Sequence, residues 1–294
     1  METEVKTLQI LLATYPNTLA LKNGTVQSSL VDFDFADVEV ASNAFKPLVR
    51  EAKFDAGELA ILTFLQAKTY GKPYVVLPAV VVGRGQHHTI AYNPEKGELK
   101  PTELNGKRVG VRSYTQTTGA WVRGILEEEY GQDVKTIDWV TFEDPHITEY
   151  NDPSFVRKVS RGKTIAQMLL DGEIDAAIVG NKIPDPRLKH LIPDHEAAAQ
   201  RWAERHHGVP INHMLIVRES IATEAPEIVR ELFRMFKESA AAAGDNINPN
   251  AIRFGVDKVW PSIDIMMDYA VSQRLIPRRF EKHELFNDFT ASLA

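Results

Sequence analysis

Leu104-Asn105-Gly106-Lys107-Arg108-Val109-Gly110-Val111-Arg112-Ser113-Tyr114-Thr115-Gln116-Thr117-Thr118-Gly119 carries a short strand into a hydroxyl-rich helix start. Asn105-Gly106 is a turn signal, and Arg108 to Val111 reads as the strand. The continuation through Trp121 to Tyr130 reads as a helix that stops at Gly131. Between strand and helix, Ser113, Thr115, Thr117 and Thr118 supply hydroxyls and Tyr114 a phenol. The first turn of a helix has free N–H groups and the positive end of the helix dipole, so it is a natural seat for an anion. The competing reading is a plain helix cap by Ser113 or Thr115.

Working outward, the same alternation of strand and helix recurs on both sides. Upstream, residues 8–13 and 33–40 read as strands, 44–52 as a helix, and 74–82 as a buried strand. Residues 54–60 lead into a helix through 68, which puts Glu58 at a helix start. Residues 88–92 form another short strand. Downstream, strands are expected at 136–141, after Gly172 and at 212–217. Helices are expected at 164–170, 196–206, 225–243 and 262–273, with loops at 143–160 and 181–193. Such alternation is α/β with mixed, mostly parallel sheets. No flexible linker interrupts the chain.

The 294 residues suffice for one large domain or two ordinary lobes. Lys and Arg number 34 and Asp and Glu 40, a net charge of −6. That mild acidity argues against nucleic acid or an anionic membrane as the main partner. The absence of cysteine excludes disulfides and thiolate chemistry. No stretch approaches the roughly 20 apolar residues of a membrane span. The N-terminal residues lack the basic and apolar regions of a leader. The chain therefore reads as cytoplasmic, or as periplasmic if a leader has been removed. There is no dinucleotide fingerprint, Walker loop or nucleophile elbow, so no cofactor is expected.

Several phrases together resemble a type II periplasmic-binding-protein fold. They are Leu104 to Val111, Gly172-Glu173-Ile174-Asp175-Ala176-Ala177 and Phe54-Asp55-Ala56-Gly57-Glu58-Leu59. The resemblance implies two α/β lobes facing a cleft, with residues 1–90 and 213–294 in one and 91–212 in the other. Within that superfamily the chain is similar to the 4,5-dihydroxyphthalate decarboxylase-like group and to substrate-binding proteins of ABC transporters. The stretches that carry this include Arg84, His88 and Tyr92-Asn93, then Tyr114, Thr117 and Trp121, then Pro210-Ile211-Asn212-His213, and finally Phe254-Gly255-Val256 with Tyr269-Ala270.

The resemblance selects candidate residues, each with a plainer alternative. His213, at the start of the returning strand, would face the cleft and could donate a proton near neutral pH; otherwise it is a hinge histidine. On an alternating strand one of His87 and His88 faces inward, and the motif favours His88. Adjacent strand residues rarely share a metal ion, so a metal site would need a third ligand such as His213 or Glu58, and none is expected. Arg84, between Gly83 and Gly85, suits a bidentate grip on a carboxylate. Arg112 could do the same, but reads better as surface. Glu58 would accept from a phenol or fix His88. Tyr15 follows the first strand, where ligands of open α/β sheets bind.

Two functions follow. The first is a cofactor-independent decarboxylase of a hydroxylated aromatic carboxylate. Thr115, Thr117 and Thr118, with Ser113 and Tyr114 beside them and Arg84 assisting, would hold a carboxylate. His213 or His88 would supply the proton. The alternative is a binding protein or sensor for a small organic anion, without catalysis. Either way the partner is a small aromatic or other organic carboxylate, and a homodimer is admitted.

Overall fold

Parallel pairing of β1 (Lys6–Leu11) with β2 (Val31–Phe35), in register from Lys6 opposite Val31 to Ile10 opposite Phe35, begins the first sheet. The structure is a computed structural model that describes residues 5–160 and 162–294; residues 1–4 of the polar N-terminal stretch lie outside it. β3 (Ala56–Ala60) and β4 (Tyr74–Gly83) follow in the first lobe. β5 (Ile90–Tyr92), β6 (Arg108–Val111), β7 (Asp138–Thr141), β8 (Val156–Lys158), β9 (Ala176–Ile178) and β10 (Lys189–His190) build a second sheet. β11 (Ile211–Arg218) then returns to the first. The strand orders are β2-β1-β3-β11-β4 and β10-β5-β9-β6-β7-β8. The architecture is two α/β lobes with mixed, mostly parallel sheets.

β11 inserts between β3 and β4 and is antiparallel to both. Its register against β4 shifts around His213, a bulge of the kind that re-aims a side chain. The two crossings between lobes therefore run from Gly83 to Ile90 and from His190 to Ile211.

Several expectations need correction. The second strand lies at Val31–Phe35 rather than 33–40, because β1 ends at Leu11 and offers no partner further on. Glu58 does not begin a helix. It is the middle residue of β3, whose five residues are all buried. The helix starts only at Ile61. Gly57 makes this possible: its φ of +152° lets β3 lie so close to β1 that an added Cβ would stand 2.2 Å from the Leu11 carbonyl oxygen. His87 to Thr89 form a 3₁₀ turn instead of extending the strand, so strand alternation does not apply to the two histidines. The loop at 143–160 contains the short edge strand β8, and that at 181–193 contains β10. The helix expected at 262–273 begins six residues earlier, at Val256, with Pro261 accommodated inside it.

One core cluster is shared by both lobes, joining Leu11, Phe45 and Ile61 to Val109, Trp121 and Met266. The helix Thr117–Tyr130 is its pivot. Its Trp121 ring meets Trp202 at 5.7 Å and Tyr269 at 5.8 Å, both edge-on, a geometry worth about 0.5–1.5 kcal/mol per pair beyond burial. Trp121 Nε1 donates to the Ile211 carbonyl at 2.8 Å, tying this helix to the start of β11. Arg123, fully buried, lies over the Tyr114 ring and donates to Gln273 Oε1 and to the Tyr114 carbonyl. Among the described residues no helix is long and apolar enough to cross a membrane.

Candidate active site

Glu58 is the centre of the strongest constellation. Its carboxylate is wholly buried, so it needs donors to stand uncompensated charge. Three groups supply them. The Ala13 N–H donates to Oε1 at 2.8 Å, and the Tyr15 hydroxyl donates to Oε2 at 3.1 Å. His213 Nδ1 lies 2.5 Å from Oε2. A carboxylate that receives the Nδ1 proton fixes the tautomer and leaves His213 Nε2 to exchange protons. Nε2 has no hydrogen-bond partner among the described residues, and the His213 side chain is 20% exposed. Burial first, and then the Glu58 charge, push the Tyr15 phenol far above its ordinary value, so it remains a donor.

Arg84 follows β4 at the first crossing. Its Nε is buried without a hydrogen-bond partner, a costly state for a cation in the absence of an anion. Burial holds the guanidinium below its usual value, opposed by Tyr15. His88, half-buried, stands 3.4 Å from Asn181 Oδ1. Burial is the main force lowering its pKa, with the Arg84 charge adding to it. His87 is the more deeply buried of the pair and bonds Glu129 at 3.1 Å. It therefore belongs to a different contact from His213 and Glu58.

The hydroxyl-rich stretch divides. The residue before the helix is Gln116, and no side chain caps it, so the capping alternative for Ser113 and Thr115 falls. Those two hydroxyls bond each other at 3.1 Å. Thr117 Oγ1 is buried without a partner. Thr118 Oγ1 accepts from Asn212 Nδ2 at 3.3 Å, and Asn212 Oδ1 accepts from Gln86 at 2.8 Å. The two crossings and the helix start are thus one network. Tyr114 is a correction: it is fully enclosed by Trp139, Phe155 and Arg123, with its hydroxyl on the Gln273 carbonyl, so it is a packing residue.

Sequence reasoning missed Gln86, Asn212 and His146. Asn212 sat inside the quoted Pro-Ile-Asn-His phrase, next to the residue that drew attention. His146 had no signal beyond its place after Pro145 in a polar loop. It spans the lobes: Nδ1 lies 2.8 Å from Thr63 Oγ1, and its ring meets Phe45, whose other neighbour is the His213 ring. Arg50 donates to the carbonyls of Pro145 and His146, clamping the same loop. Burial, and then the charges of Arg112, Lys46, Arg50 and His213, hold the His146 imidazole down at about 3.

That depression has a measurable outcome. Between the ordinary value of 6.5 and about 3 the unfolded chain binds the proton and the folded chain does not. Stability contributed by neutral His146 is therefore complete above the ordinary value and declines as pH falls through that window. Each unit of pH is worth at most about 1.4 kcal/mol, or about 2–4 °C in a chain of this size. His146→Gln, which retains a partner for Thr63, should lose several degrees less Tm than the wild type between pH 7 and 4.5 in a thermal melt. Parallel losses in the two proteins would refute the assignment.

The carboxyl ends of β6, β7 and β9 face a cavity of about 680 Å³, lined by Arg112, Gln116, Phe142 and Ile178 among others. Ligands of open α/β sheets bind at such ends. None of Tyr15, Glu58, Arg84 and His213 lines this cavity; Arg84 lines a separate one of about 730 Å³ with Gly83, Gly85 and Pro210 at the crossings.

No family model matches the chain. The chain is 32% identical over 256 residues to a 4,5-dihydroxyphthalate decarboxylase of Comamonas testosteroni, covering 80% of this chain and 75% of that one. It is 27% identical over 209 residues to a 4,5-dihydroxyphthalate decarboxylase of Pseudomonas putida, covering 66% and 80%. Among solved structures, the periplasmic aliphatic sulphonate binding protein SsuA of Escherichia coli superposes with a TM-score of 0.59 at 12% identity, covering 95% of this chain and 91% of that one.

Proposed function

Because the chain belongs to the 4,5-dihydroxyphthalate decarboxylase family, we propose that its cleft removes one carboxyl group from 4,5-dihydroxyphthalate, giving 3,4-dihydroxybenzoate and CO2. The observation that carries the reading at the site is the Glu58–His213 contact, a buried carboxylate holding an imidazole whose other nitrogen is accessible.

The chemistry needs little more. Each carboxyl group of this substrate stands para to one hydroxyl. Drawing the proton from that hydroxyl pushes electrons to the ring carbon that bears the carboxylate. That carbon takes a proton, the carbon–carboxylate bond breaks as CO2 leaves, and the ring regains aromaticity. His213 Nε2 is the acid for carbon, and Glu58 stabilises the imidazolium that precedes the transfer. His88, whose pKa is lowered chiefly by burial, accepts from the hydroxyl. The free N–H groups at the start of the helix Thr117–Tyr130, with the Thr115, Thr117 and Thr118 hydroxyls and Arg84, hold a carboxylate. Tyr15 keeps Glu58 in place.

The test is direct. Purified protein with 4,5-dihydroxyphthalate should form 3,4-dihydroxybenzoate and CO2 in equal amounts without added metal or nucleotide cofactor. Tight binding with no product would favour the anion-receptor alternative. Arg84→Met should raise the Kd for the substrate about tenfold, the scale of one charge-assisted hydrogen bond, by calorimetry in a catalytically silent background. An unchanged Kd would remove Arg84 from the seat.

A further inference from the structure

The substrate carries two vicinal carboxylates, and the seat above accounts for one. Arg112 is the cation left unused. It follows β6 directly and lines the second-lobe cavity together with Gln116, the residue before the helix Thr117–Tyr130. Arg112 and the residue that precedes the helix start thus line one cavity. The same cavity has an apolar wall of Phe142, Ile165, Ile178 and Val179, suited to a ring face.

Arg112 forms an ion pair with Glu143, which lines the same cavity, at 3.7 Å; this is longer than a hydrogen bond, and the Arg112 Nε is buried with no hydrogen-bond partner. The other cation on the wall, Lys163, is paired with both Asp171 and Glu173. Arg112 is also near enough to His146 for its charge to act there, and His146 shares Phe45 with His213.

We infer that Arg112 binds the second carboxylate and so makes the cleft selective for ortho-dicarboxylates over monocarboxylates. This rests on the decarboxylase reading for the identity of the substrate, but it can be tested apart from turnover. Phthalate and benzoate lack the hydroxyl that drives CO2 loss, so both can be titrated into active protein. Calorimetry should show the wild type binding phthalate at least tenfold more tightly than benzoate. In Arg112→Met the preference should fall to twofold or less.

A merely structural role would weaken both ligands alike and leave the ratio intact. A preference that falls less than fivefold in the variant, or a wild type that prefers benzoate, overturns the inference. If Arg112→Met does not fold, Arg112→Gln is judged by the same ratio. The two readings fail separately. Collapse of the ratio in a protein that makes no 3,4-dihydroxybenzoate would retain the dicarboxylate site and reject the reaction. Product formation with an unchanged ratio would do the reverse.

Discussion

His213→Ala is expected to lower kcat for CO2 release by about 10²–10⁴-fold, the usual contribution of a positioned general acid, while Kd for the substrate changes little. The separation follows from the geometry. His213 is held by Glu58 in the first lobe, whereas the proposed anion seats are a helix start and arginines. Glu58→Gln is the companion experiment. An amide can donate as well as accept, so it no longer dictates which imidazole nitrogen bears the proton. It should reproduce most of the kcat loss with His213 still present. Single-turnover kinetics with quantified CO2, beside calorimetric Kd values, would check both. Equal losses of affinity and turnover in His213→Ala would mean that the imidazole binds substrate rather than protonating it.

The second large effect is structural. Gly57→Ala should destabilise the chain by about 4 kcal/mol or more, enough to place it among the exceptional substitutions. The new methyl would meet the Leu11 carbonyl at 2.2 Å, at a φ of +152° that side chains rarely adopt. Neither strand can retreat, because β3 is held by β1 on one side and β11 on the other. Glu58 is the next residue, so the variant that does fold should also have lost the bond from Ala13. Gly162→Ala is the control: nothing lies within 4 Å of its added Cβ, and its stability should stay within about 1 kcal/mol of wild type. Urea titrations of the two variants decide it. A Gly57→Ala protein as stable as the control would show that β1 and β3 are not as closely packed as described.

Much of this was legible in the sequence. The strand Arg108–Val111, its turn at Gly106 and the helix end at Gly131 follow from local signals, and the alternation of elements carries the α/β class. What failed depends on contacts distant in the chain. Glu58 sits where an acid is normal at a helix start, and only the arrival of β11 makes that segment a central strand. Tyr114 looked available because nothing local reveals that Gln273 and Arg123 will enclose it.

The long reach of these contacts also bears on biosynthesis. His213 joins Glu58 across 155 positions, and Gln273 joins Arg123 across 150. A nascent chain halted before residue 211 lacks the strand that joins β3 to β4 in its first sheet, and one halted before 273 leaves a buried guanidinium without its amide partner. The Glu58–His213 contact must wait for residue 213 and the Arg123 contact for residue 273, and pairings so remote in sequence close slowly. The unfinished protein would spend that interval with strand edges exposed, which makes it a natural client for chaperones on or near the ribosome.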